Sequence, residues 1–143
     1  MTDIETMGPI DYLVVEFPGN RMTGEGVPLL LDLVDRGIIR ILDLAFIRKS
    51  VSGEVTALTM ENLDAEGLDE FHVFHGASSG LLADDDLREA ATAVEAGSAA
   101  AILVYENLWA APLATAWRRG GAQVVAGGRI PVQAMLAAAG MDT

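Results

Sequence analysis

The chain reads as a single α+β domain over residues 1–143, with a ferredoxin-like βαββαβ core, an appended αβ unit and a short C-terminal helix. Three observations predict this. Hydrophobic residues make up 51% of 143, ample for one core in a chain of this size. Stretches with strand patterning and stretches with helix patterning succeed one another. Glycine- and proline-bearing breaks fall between them, and neither an internal repeat nor an interdomain linker interrupts the series.

Each element has its own local argument. Ile10 to Phe17 is rich in β-branched and aromatic residues and is stopped by Pro18-Gly19, which predicts the first strand. The helix that follows carries Pro28 in its first turn, where a missing N–H does no harm. Its apolar residues Val27, Leu30, Leu31 and Val34 form one stripe, and Gly37 suits the position just past its end. Ile38 to Lys49 predicts a long strand, with Leu42, Leu44 and Phe46 on one face and Ile41, Asp43, Ala45 and Ile47 on the other. Ser50 to Gly53 then reads as a hairpin turn into a partner strand, Glu54 to Glu61.

Residues 62–83 carry no single pattern. A helix begins at Asp84–Asp86, whose carboxylates suit an N-cap and first turn, carries Leu87, Ala90, Ala91 and Val94 on one face, and stops at Gly97. Ala99 to Tyr105 is an almost unbroken apolar run, which predicts a central strand covered on both faces. Pro112 sets the start of the next helix near Ala111, and Gly120-Gly121 ends it. Val124-Val125 is expected as a short strand, and Val132 to Ala139 as the last helix.

Composition narrows the function classes. With 9 basic against 21 acidic residues the net charge is −12, which disfavours nucleic acid, since phosphate binding needs clustered cations. Ten of the acids and one base, Arg88, lie between Glu61 and Glu95, a solvated face first and a cation or basic-partner surface second. The absence of cysteine removes disulfides, thiol nucleophiles and thiolate metal sites. No apolar run approaches the roughly 18 residues of a membrane span. Met1 to Gly8 lacks the basic flank and apolar core of a secretory signal, so a cytoplasmic location is expected.

Four patterns invite chemistry. His72 and His75, beside Glu61, Glu66, Asp69 and Glu70, suit a metal such as zinc if the segment is helical, because residues three apart then share a face. On a strand the two imidazoles point apart, and the alternation of Phe71, Val73 and His75 against His72 and Phe74 leaves that arrangement open. Gly76-Ala77-Ser78-Ser79-Gly80 matches the G-x-S-x-G nucleophile elbow in letters, but both histidines precede Ser78, whereas the elbow needs its base later in the chain. The Pro18–Gly26 loop sits between a strand and a helix with Arg21 beside it, yet carries neither a P-loop nor a dinucleotide glycine pattern. Trp109 and Trp117 are eight apart around Leu113, a spacing that places both on one helix face, to be buried in a core or an interface.

The stretches GPIDYLVVEFPGN, LVDRGIIRILDLAFIRK, DDDLREAATAVEAGSAAAILVYENLWAAP and GGRIPVQAML span most of the chain and resemble a bacterial family of uncharacterised proteins, a domain of unknown function. The resemblance implies a ferredoxin-like core and a stress-associated setting, and lends no catalytic residues. Longer, membrane-associated members look as if they carry a glycine-rich apolar hairpin between the third strand and the next helix. Here only His75 to Leu82 stands at that place, too short to cross a bilayer. The reading is therefore a non-enzymatic, soluble, self-associating accessory domain without a cofactor. Its homo-oligomer interface is expected on an open sheet face formed by Ile41, Ala45, Ile47, Val55 and Ala57. The alternative is a small-molecule or metal-binding protein using His72 and His75.

Overall fold

A computed structural model of the chain describes residues 6–21, 25–65, 76, 79–123, 125–127 and 132–140. Their order is β1 (Ile10–Phe17), α1 (Val27–Asp35), β2 (Ile39–Lys49), β3 (Val55–Leu58), α2 (Met60–Ala65), α3 (Asp84–Ala91), β4 (Ala99–Asn107), α4 (Ala111–Arg119) and α5 (Val132–Ala138). The four strands form one antiparallel sheet in the order β1-β4-β2-β3. The expected mixed α+β class stands, and β4 is central as its apolar run required. The order itself centres β4 and β2, where a ferredoxin-like sheet centres the first and third strands. Each β-α-β crossover is still split by one intervening strand. β4 lies between β1 and β2, and β2 lies between β3 and β4.

Both sheet faces are covered. On one, Leu44, Phe46, Leu103 and Tyr105 pack with Val27 of α1 and Leu63 of α2. On the other, Ile47, Ala100 and Ile102 pack with Leu87 and Ala91 of α3 and with Val94 beyond it. The face expected to be open is thus occupied along Ala45, Ile47 and Val55. The register explains why Ile41 is not part of that row. Ile41 pairs with Tyr105 and Asp43 with Val104, so Leu42 is an extra residue, a β-bulge that reverses the parity of everything before it. Ile41 therefore sits with Leu44 and Phe46 against α1, and Arg40 sits on the α3 side with Asp43.

Helix ends follow the residues that specify them. Past α1, the Gly37 N–H donates to Val34 O and the Ile38 N–H to Leu33 O, with Gly37 at φ 70°. Gly121, at φ 85°, closes α4 the same way, its N–H reaching Arg118 O while the Ala122 N–H reaches Trp117 O. Both are Schellman closures, which only glycine enters without strain. α3 is entered from Ala83, whose N–H donates to the Asp86 carboxylate. It ends at Ala91, short of Gly97, and Lys49 Nζ donates to the carbonyls of Ala91 and Val94, a cation at the negative helix end.

Two further expectations are corrected. β3 stops at Leu58 because Thr59 and Asn62 form a reciprocal capping box: Thr59 Oγ1 accepts the Asn62 N–H, and Asn62 Oδ1 accepts the Thr59 N–H. That box starts α2 where continued strand was expected. Val125 belongs to no strand and is exposed, so the appended unit, among the described residues, contributes helices alone; Val124 lies outside them. No helix of the described residues is long and apolar enough to cross a membrane.

Candidate functional site

Two buried carboxylates on β2 and β4, both on the α3 side, organise the polar interior. Glu106 is 1% exposed and stands opposite Arg40 in the β2–β4 register. Its Oε1 accepts from Arg40 Nε at 3.0 Å and from a terminal guanidinium nitrogen at 2.7 Å, and its Oε2 accepts the Gly8 N–H at 2.8 Å. Burial is the largest influence on this carboxyl and pushes its pKa up. The Gly8 N–H, the Arg40 hydrogen bonds and the Arg40 charge together outweigh burial, and the net shift is downward. Glu106 is thus held ionised as an acceptor with both oxygens occupied.

Around it the segment Met7 to Asp11 is tied down. The Asn107 N–H donates to Pro9 O at 2.8 Å, its side-chain amide donates to Pro9 O and to Asp11 Oδ2, and its Oδ1 accepts from Trp109 Nε1 at 3.2 Å. Arg118 of α4 donates to Met7 O. Gly8 is buried so tightly that an added Cβ would lie 2.2 Å from Asn107 O.

Asp43 is the second carboxylate, also 1% exposed. Oδ1 accepts the N–H groups of Leu44 and Ser79, and Oδ2 accepts that of Leu82 at 2.7 Å. Ser79 Oγ donates to Leu42 O at 2.6 Å, taking up the carbonyl of the bulge residue. The bulge and Asp43 therefore pin the segment entering α3 onto the sheet. Strict strand alternation places Arg40 and Asp43 on opposite faces, and the extra residue that brings them to one face shows only in the pairing with β4.

Two clefts of about 530 Å³ flank β1. One, on the α3 side, has Val14, Ile102, Ala90 and Ala93 along its walls, with Tyr12, Asp86 and Glu89 around them. The other lies between the start of β1 and α4, lined by Pro9, Ile10, Asp11, Trp117 and Arg118 among others. Tyr12 is 73% exposed and Ile10 52%. Among the described residues β1 is also an edge strand, with β4 on one side and no strand on the other.

Of the residues singled out from the sequence, Trp117 lines the second cleft. His72, His75 and Ser78 lie outside the described residues, as do residues 22–24 of the Pro18–Gly26 loop. Among the described residues no group of three His, Asp or Glu side chains is placed to hold a metal ion. Gly76 and Gly80 take positive φ, 92° and 80°, and the neighbouring Ser79 serves the bulge. Trp109 sits in a 3-10 turn (Leu108–Ala110) before α4, and it and Trp117 are half-exposed or more rather than core.

What the fold and this site define is a mixed α+β protein whose buried charges hold its own backbone and whose β1 edge carries the exposed apolar side chains of Ile10, Tyr12 and Val15. A model of a family of unknown function, DUF6325, matches residues 6–142, and the chain belongs to that family. Comparison with curated proteins and with solved structures found no match.

Proposed function

We propose that the chain is a non-enzymatic, self-associating accessory domain, working as an interaction unit rather than as a catalyst. The observation that supports it is the contrast between spent and unspent groups. Glu106 and Asp43, the buried carboxylates among the described residues, spend their oxygens on Arg40 and on backbone N–H groups. Unspent apolar surface lies along β1, where Ile10, Tyr12 and Val15 are each exposed by 45% or more. Large apolar side chains on an edge strand are a template for another chain.

A stress-linked setting, for which the family resemblance speaks, and a cytoplasmic location, for which the absence of cysteine speaks, belong to the same proposal. So does the closer fold assignment, a ferredoxin-like relative with exchanged central strands, for which the two split crossovers speak. Sedimentation of the wild-type protein over a wide concentration range tests the function. A dimer or higher species is expected at micromolar concentration; a monomer at every concentration overturns the reading.

A further inference from the structure

We infer that the self-association surface is the edge of β1 that no strand of the described residues pairs, and that its occupant is β1 of a second copy, antiparallel and centred on Leu13. This rests on the reading of a self-associating domain and specifies its interface.

Edge strands are normally guarded by charges, proline, bulges or shortness. β1 has eight residues, no proline, and an unbroken register with β4. Its two charged residues are turned toward their own chain: Asp11 Oδ2 accepts from the Asn107 side chain at 3.0 Å, and Glu16 Oε2 accepts the Glu95 N–H at 2.6 Å. Neither acid is left as a free guard. The opposite edge of the sheet, β3, has only four residues.

The pattern of β1 is also self-complementary. Residues directly opposite across a two-fold axis normal to the sheet must share a sheet face. Tyr12 and Val14 line the cleft on the α3 side, and Leu13 packs in the core on the α1 side. Only pairings centred on a residue keep like faces together. Centred on Leu13, Tyr12 meets the partner's Val14, Asp11 meets the partner's Val15, and Ile10 meets the partner's Glu16. No two acids face each other. The central Tyr–Val pair occurs twice, and aromatic with β-branched is a favourable cross-strand combination. Centred on Val14, Tyr12 would instead meet the partner's Glu16 and lose that contact. The two copies would then share one eight-stranded sheet, with the Tyr12 rings covering the mouths of the clefts beside α3. An isologous contact of this kind closes at two copies and leaves only the short β3 edges outside.

The chain has no cysteine, so introduced thiols report alone. Tyr12→Cys and Val14→Cys chains, distinguished by mass, are mixed and oxidised. The expected result is a mixed disulfide-linked dimer in about tenfold greater yield than either variant gives alone, because like positions lie diagonally, beyond strain-free disulfide reach. Self-linking of Val14→Cys would overturn the Leu13 register. A dimer by sedimentation with no linkage at these positions overturns the edge interface and leaves self-association standing, whereas a monomeric wild-type overturns both. Should Val14→Cys fail to fold by circular dichroism, amide exchange of wild-type β1 decides. Outward N–H groups that slow on going from dilute to concentrated protein support the edge, and unchanged exchange overturns it.

Discussion

At the scale of single residues, the two buried carboxylates hold the molecule together in different ways. Glu106 is an ion pair partner and a backbone acceptor at once. Removing its charge as Glu106→Gln leaves Arg40 unpaired, but the Arg40 side chain is 41% exposed and water replaces part of the loss. A cost of about 2–3 kcal/mol is expected, below that of a fully buried pair. The pH dependence has a definite sign. The folded pKa is depressed from 4.5, so the stabilisation is fully present above that value and is lost as pH falls through the folded pKa. Chemical denaturation of wild-type and Glu106→Gln should differ by a constant amount above about pH 5 and converge in acid. Asp43 is wholly a backbone acceptor. In Asp43→Asn an amide nitrogen must meet one of the N–H groups it now accepts, so faster amide exchange at Ser79 or Leu82 is expected, with a loss of about 1–3 kcal/mol. Unchanged exchange at both would show that the anchor holds without the charge.

At the scale of elements, the capping box before α2 is the feature with the cleanest test. Thr59→Ala removes the oxygen that accepts the Asn62 N–H and should lower stability by about 1 kcal/mol, read as a fall in melting temperature. Asn62→Ala should cost a similar amount if the box is reciprocal. The elements legible in the sequence were those whose signals are local. β1 ended at Pro18, α1 and α4 ended at their glycines, and the apolar run of β4 implied its central place. Other features depended on partners far along the chain. The bulge at Leu42 shows itself only in the pairing with Tyr105 and Val104, and it moved Ile41 to the opposite face. The clamp on Glu106 joins Gly8, Arg40 and Glu106, which no spacing rule connects. The cap at Thr59 was local yet masked, because the preceding residues continue a strand-like alternation and the box uses Asn where Glu or Gln is usual.

At the scale of the whole molecule, charge opposes the association that the β1 edge favours. Each copy carries a net −12, and a dimer brings two such chains within a few ångströms at the strand edge. Asp86 and Glu89, beside the cleft next to Tyr12, add negative charge close to the axis. An interface built from apolar side chains and backbone hydrogen bonds is little weakened by salt, while repulsion beyond a Debye length of about 8 Å is screened at physiological ionic strength. Association should therefore tighten as salt rises, the reverse of a contact held by opposite charges. Between about 0.02 and 0.3 M sodium chloride the dimer dissociation constant is expected to fall by about tenfold, measured by sedimentation at fixed pH. Neutralising the cleft acids as Asp86→Asn with Glu89→Gln should flatten that dependence without abolishing the dimer, since neither side chain contributes to β1 pairing. A dissociation constant that rises with salt would mean that opposite charges hold the copies together, and the apolar β1 edge would then not be the contact.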